Sequence, residues 1–201
     1  MKFFKHLRVV LTHKFYVFCN ACRMGIPWTG FIHDTSKFTP TEFLRSARYY
    51  LGNNSPTIKE REFNDGFSYV CVHHTGRNKH HWQYWIDYDG KNMVVNRIPY
   101  KNSVEYVCDI IAASRVYHPK NFKMQVVYDY FTKQMNRYVM HPATKEFIVT
   151  CLIKAMESGF KGIKKKNTQK LYKEISEKYS NTILIPIQEI QETLKYEVSK
   201  H

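Results

Sequence analysis

The sequence has few of the residues that interrupt helices, and it has no long apolar run. Only 8 of its 201 residues are glycine and 7 are proline, which favours helices over a fold of many short strands and turns. A membrane-spanning helix needs about 18 uninterrupted apolar residues, and no stretch approaches this length. Residues 1–5 begin like a signal peptide, but charged residues follow and no small-residue cleavage site does. We therefore expect a cytoplasmic protein without membrane association, in the host cytoplasm if a virus encodes it.

Acidic residues and cysteines are also scarce. The chain has 17 Asp+Glu against 31 Lys+Arg, a formal net charge of +14 at pH 7. Such a charge attracts nucleotides and nucleic acid without selecting either one. The 5 cysteines are an odd number and lie mostly in apolar helical stretches, which predicts free thiols in a reducing compartment. Cys19 and Cys22 have zinc-knuckle spacing, but no second pair completes four ligands, so helix packing is the favoured interpretation.

The apolar content of 43% is sufficient for one buried core, and no repeat or domain boundary is evident. Helical spacing predicts a first helix over 2–24, ended by Gly25. Residues 39–42 resemble a capping box that opens a helix of three turns, with Glu42 in the capping position. Residues 86–99 fit either a loop or a small hairpin. Further helices are predicted over 57–74, 102–117, 122–139, 142–158 and 187–199, with a basic helix or linker over 161–178.

The most informative feature is the pair His33-Asp34, because an imidazole beside a carboxylate offers a divalent metal two good ligands. His13 lies twenty residues upstream on the apolar stripe of the first helix. Asp109 stands in an apolar helical run, where a buried carboxylate is costly unless it is paired or bound to a metal. Pairing with an arginine, or capping of a neighbouring helix, is the alternative for Asp109. Together these residues predict a buried metal site.

A cluster of four histidines follows at positions 73, 74, 80 and 81. Helical spacing places His74 on an inward face, whereas His73 and His81 are expected to be more exposed. Because histidine titrates near neutral pH, members of this cluster are candidates for proton transfer or for phosphate contacts. Trp82 begins an aromatic stretch that suits either base stacking or core packing.

At this point the chain resembles a known group. A histidine, then His-Asp about twenty residues later, then a distant aspartate in an apolar helix is the ligand pattern of the HD-domain superfamily of metal-dependent phosphohydrolases. The match is sharpest to a branch of viral and bacterial proteins that share His-Asp-x-Ser-Lys-Phe and His-His-x-x-Asn-x-His-His-Trp-Gln-Tyr-Trp. The first motif stands here at residues 33–38, and the second at residues 73–85 with one additional residue between the His-His pair and the asparagine. The resemblance covers roughly residues 1–140.

The resemblance implies an all-α, HD-domain-like helical bundle, with residues 1–140 as the metal-binding core and helices of 141–201 packed on it. It implies one or two divalent ions, of Mn, Fe, Co, Ni, Zn or Mg. The expected metal ligands are His13, His33, Asp34 and Asp109. The expected catalytic residues are Asp34, His74 and His80. The expected substrate-binding residues are Lys37, His73, Arg77, Asn78, His81 and Trp82.

The expected function is hydrolysis of a phosphate ester, in a nucleotide or in a cyclic or short oligonucleotide, by a metal-activated water. A second interpretation is an oxygenase with two irons, in which His74 and His80 supply additional ligands. A third is a non-enzymatic nucleic-acid binder with a structural metal, for which the lysines at 164–166 are the natural contact. The oligomeric state is not predicted by the sequence.

Overall fold

The protein is predominantly helical, as the sequence predicts, with one small sheet. A computed structural model describes residues 2–52 and 55–187, and within these ranges no helix is both long and apolar enough to cross a membrane. The α-helices are α1 (Lys2–Met24), α2 (Pro27–Ile32), α3 (Pro40–Tyr49), α4 (Pro56–Phe63), α5 (Tyr69–Thr75), α6 (Tyr100–Tyr117), α7 (Met124–Met135), α8 (Pro142–Ser158) and α9 (Lys165–Ser176). Short 3-10 turns cover Thr35–Phe38, Trp82–Trp85 and Gly159–Lys161. The strands are β1 (Ile86–Tyr88), β2 (Asn92–Asn96) and β3 (Thr182–Pro186).

The core lies between the long helices α1, α6 and α8, with α7 and α9 packed on it. Val17 of α1, Val107 of α6 and Phe147 of α8 are fully buried in one continuous apolar cluster. Burial of a side chain of this size stabilises the fold by about 1.5–3 kcal/mol. Leu152 and Ile175 belong to the same cluster, so residues beyond 140 share the core of the preceding helices.

The helix α2 packs directly on α1 because Gly30 has no side chain. A Cβ built on Gly30 would overlap the Cβ of Ala21 and lie 3.1 Å from the Cα of Phe18. Gly25, at a φ of +77°, ends α1 as the sequence predicts. The turn at Gly25 reverses the chain, and the absence of a side chain at Gly30 lets α2 lie closely against α1.

Two local predictions were wrong. The single helix expected over 57–74 is divided into α4 and α5, since Asp65 and Gly66 both adopt positive φ, at 48° and 88°. Ser68 then begins α5 by accepting a hydrogen bond from the backbone N–H of Cys71. The capping box also does not form, because the Thr39 hydroxyl donates to the carbonyl of Ser36 and makes no cap.

Residues 86–96 form a hairpin, which decides between the two alternatives for this region. Asp89 accepts hydrogen bonds from the backbone N–H groups of Lys91 and Asn92 at the turn, and Gly90 has a φ of +91°. β2 pairs antiparallel with β1 and with β3, with Val94 opposite Leu184. The helices predicted over 102–117 and 122–139 are observed as α6 and α7, and the segment 161–178, for which the sequence allowed a basic helix or a linker, contains the helix α9. The helix predicted over 187–199 lies, except for its first residue, outside the described residues.

Candidate metal centre

The four predicted metal ligands come together at one largely buried point. His13 Nε2 lies 3.0 Å from Asp109 Oδ1, and His33 Nε2 lies 3.2 Å from Asp34 Oδ2. His33 Nε2 is also 3.7 Å from Asp109 Oδ1, and all four ligand atoms lie within 4.8 Å of one another. Ligands of one ion at about 2.1 Å are about 3.0–3.5 Å apart in octahedral or tetrahedral geometry. The spacing therefore suits a divalent metal, and we call these residues the first ligand group.

A second ligand group shares Asp34 with the first. It consists of Asp34, His74, His80 and His81, again with ligand atoms within 4.8 Å of one another. Asp34 Oδ1 lies 3.4 Å from His74 Nε2 and 3.6 Å from His80 Nε2. Because Oδ2 of the same carboxylate faces His33, Asp34 presents one oxygen to each group. The buried side chains can therefore hold an ion on either side of Asp34.

Asp34 stands in a backbone conformation that few residues adopt. Its φ of 51° is in the left-handed region, where aspartate and asparagine are tolerated better than most side chains. The turn between α2 and the 3-10 turn 35–38 requires this conformation. It places the carboxylate inside, with 4% of the residue exposed.

Two buried glutamates lie behind the histidines, and neither was predicted from the sequence to be a site residue. Glu105 Oε1 is 2.9 Å from His33 Nδ1 and 3.3 Å from His80 Nδ1. Glu42, which the sequence assigned to a capping box, accepts hydrogen bonds from Nδ1 of His73 at 2.7 Å and of His74 at 3.0 Å. The one sequence signal for Glu105 is its position four residues before Asp109, on the same face of α6.

The ring of His33 is enclosed by carboxylates on both sides. When Nδ1 donates its proton to Glu105, the lone pair of Nε2 faces the oxygens of Asp34 and Asp109. Two acceptors at this distance repel each other unless a proton or a metal ion lies between them. Within the described part of the chain, six buried atoms of the two ligand groups have no hydrogen bond of normal geometry: His13 Nε2, His33 Nε2, Oδ1 and Oδ2 of Asp34, His80 Nε2 and His81 Nε2. An unpaired buried polar atom costs about 1–3 kcal/mol, and bound cations would remove this cost.

The electrostatics of the buried side chains favour a positive charge at this centre. Burial would lower the pKa of His33, but Asp34, Glu105 and Asp109 raise it to about 10. Burial likewise opposes ionisation of Glu105, yet its hydrogen bonds from His33 and His80 lower its pKa to about 2. The pKa of Asp34 is also held well below its ordinary value, by His33 and Lys37 against the effect of burial. A proton on His33 thus partly neutralises the carboxylates.

Two lysines border the centre. Lys37 Nζ lies 2.6 Å from Asp34 Oδ2, with about a third of the side chain exposed. Lys14, one residue after His13, donates to the backbone carbonyl of His33 at 2.6 Å. Lys37 was expected from the sequence to bind substrate, whereas Lys14 was not predicted as a site residue. Both are cations at the edge of an otherwise acidic cluster.

The remaining predicted substrate-binding residues have different surroundings. Asn78 Nδ2 donates to Ser36 Oγ at 2.9 Å and to the backbone carbonyl of His74 at 2.8 Å, so it joins two segments of the site. Trp82 stacks on Tyr138, with ring centroids 5.7 Å apart, and packs against the apolar core. Arg77 is exposed at the end of α5. The geometry thus brings His73, Asn78 and His81 to the centre and directs the Trp82 ring toward the core.

Comparison with known proteins gives one result. Residues 2–154 match the model of a protein family described as DUF5662, a family of unknown function. The matched range contains every residue of both ligand groups. No curated protein and no solved structure matches the chain.

Proposed function

The chain belongs to the family of unknown function DUF5662, and we propose that it is a metal-dependent phosphohydrolase. Its expected substrate is a nucleotide or a cyclic or short oligonucleotide. The observation that carries this proposal is the pair of ligand groups that share Asp34, with Lys14 and Lys37 beside them. The order of the ligands along the chain is similar to that of HD-domain phosphohydrolases, which supports the same activity.

The formal charge of the centre suits a phosphate ester. Four carboxylates and two lysines leave two negative charges when the imidazoles are neutral, as metal binding requires. Two divalent ions would change this balance to two positive charges, which match a phosphate dianion. The residues in this balance are Asp34, Glu42, Glu105, Asp109, Lys14 and Lys37.

Each side chain has a role that follows from its position. A bound divalent metal polarises a phosphoryl oxygen and lowers the pKa of a water toward neutrality. Lys37 forms an ion pair with Asp34 in the structure. When metal ions bind both oxygens of Asp34, the ammonium group of Lys37 is available to contact a substrate phosphate. His74 and His80, which the sequence analysis assigned to proton transfer, lie in the second ligand group. In this proposal they hold the second ion.

Metal content and turnover test the proposal together. Protein purified without chelator should contain up to two divalent ions per chain by elemental analysis. It should hydrolyse members of a nucleotide panel with Mn, Co, Ni or Mg. Asp34→Ala removes the ligand that both groups share, so we expect it to lose both the ions and the turnover.

Asp87→Ala is the matched control, because Asp87 is an exposed aspartate on β1; it should keep both properties. The hydrolase proposal fails if the wild-type protein binds metal stoichiometrically and no nucleotide or oligonucleotide in the panel is hydrolysed with any of these metals.

The histidine-rich second group also favours one other candidate. Three imidazoles and one carboxylate suit iron as well as they suit other transition metals, so an oxygenase with two irons is the alternative. Iron-loaded protein would then consume oxygen in the presence of its substrate. Hydrolysis by a colourless, magnesium-loaded protein would exclude this alternative.

A further inference from the structure

The carboxylate of Glu105 lies between two histidines that belong to different ligand groups. Its Oε1 atom is 2.9 Å from Nδ1 of His33 in the first group and 3.3 Å from Nδ1 of His80 in the second. The rings of these two histidines are 4.6 Å apart. Glu105 is 7% exposed, so water competes little for this oxygen.

The two contacts decide which nitrogen of each ring faces the metal centre. A histidine that binds a metal through Nε2 carries its proton on Nδ1, and this proton needs an acceptor. Oε1 of Glu105 is within reach of both protons. The other nitrogens then face the shared carboxylate of Asp34, with His33 Nε2 at 3.2 Å from Oδ2 and His80 Nε2 at 3.6 Å from Oδ1.

The position of Glu105 on α6 keeps this acceptor fixed relative to the ligands. Glu105 is one helical turn before Asp109, a ligand of the first group, so one rigid helix carries both. Asn102 Nδ2 lies 3.4 Å from the other carboxylate oxygen of Glu105. The Glu105 side chain therefore has little freedom to move toward one histidine and lose its contact with the other.

We propose that Glu105 is a positioning residue that couples the two ion sites, because one acceptor atom holds a ligand of each. This inference rests on the metal centre under the proposed function, but not on the reaction. Glu42 provides the contrast: it is also buried, but of the two ligand groups its carboxylate contacts only His74, in the second.

The test compares the zinc affinities of matched variants. Chelator-treated full-length protein is titrated with Zn²⁺ against a chromophoric competitor, and the two binding steps are resolved. Loss of a carboxylate behind a ligating histidine lowers metal affinity by about 10–100-fold. We expect Glu105→Gln and Glu105→Ala to weaken both steps by about this factor. Glu42→Gln should weaken only one.

A spectroscopic measurement separates positioning from a general loss of structure. In zinc-loaded wild-type protein, long-range ¹H–¹⁵N spectra should show the Nδ1–H tautomer for His33 and His80. In Glu105→Gln the Nδ1 proton signals of both residues should shift, while circular dichroism stays unchanged. The inference is overturned if the Glu105 variants weaken one step alone or neither, or if either histidine carries its proton on Nε2. Since no substrate is used, absence of hydrolysis would overturn the proposed reaction and leave this result standing.

Discussion

The metal-free protein should lose stability as the pH rises from 7 to 8.5. Neighbouring carboxylates raise the pKa of His33 from 6.5 to about 10 against the effect of burial. In this pH range the unfolded chain has largely lost the His33 proton, whereas the folded chain keeps it. Each pH unit then lowers the free energy of unfolding by about 1.4 kcal/mol, or about 2 kcal/mol over the range. The contribution of His33 is fully present below pH 6.5 and disappears toward pH 10.

Other titrating groups act mainly outside this window. Burial lowers the pKa of His13 and His81 and that of His6 to about 4. Their stabilising contributions are present above the unfolded value of 6.5 and are lost as the pH falls, so they are nearly constant above pH 7. Burial raises the pKa of Cys108 well above 9 and that of Cys151 to about 12. These thiols lower stability only as the pH approaches 9, where the unfolded thiols ionise.

Urea unfolding of chelator-treated protein at pH 7.0, 7.5, 8.0 and 8.5 measures this effect. The variant His33→Gln lacks the titrating group, and we expect its stability to change little over the same range. Metal binding displaces the proton, so the affinity for a divalent ion should rise with pH in the wild-type protein. A wild-type free energy of unfolding that stays constant or increases between pH 7 and 8.5 would show that His33 carries no extra proton in the fold.

Two further predictions concern the packing that supports the site. Gly30→Ala places a methyl group against the Cβ of Ala21 and should lower the free energy of unfolding by about 1–3 kcal/mol through overpacking. Adding Ala21→Gly should recover part of this stability in thermal unfolding. If the effects of the two substitutions on stability were strictly additive, α2 would not approach α1 as closely as described. Phe147→Ala empties a fully buried position and should cost about 3–5 kcal/mol in urea unfolding. Phe4→Ala, at a side chain that is 74% exposed, is its control and should cost less than about 1 kcal/mol.

The long helices and the first ligand group could be predicted from the sequence, because the first depend on local residue patterns and the second on the order of the ligands along the chain. The apolar stripe of α1 places His13 inward, and the glycines at 25 and 159 follow the last residues of α1 and α8. Glu42 and Glu105 were missed because a glutamate on a helix is usually exposed or part of a cap. Nothing in the local pattern shows that Glu105 meets a histidine 72 residues away.

The second ligand group and the sheet were difficult to predict for the same reason. His74 and His80 were expected as metal ligands only in the interpretation with two irons, and their spacing does not show that the chain turns between them and brings both to Asp34. Strand β3 forms only by pairing with β2, and Thr182 lies opposite Asn96 in that pair. Contacts of this kind depend on how distant segments fold together, and a single sequence does not record them.

The two ligand groups lie on structural elements of different length. In the first group, His13 and Asp109 project from helices of 23 and 18 residues that pack on the core. In the second, His74 belongs to a helix of 7 residues and His80 and His81 to the connector after it. The first group thus has two ligands on long helices of the core, whereas the histidines of the second group lie on a short helix and a connector. We therefore expect a divalent ion to bind first on the side of Asp34 that the long helices support.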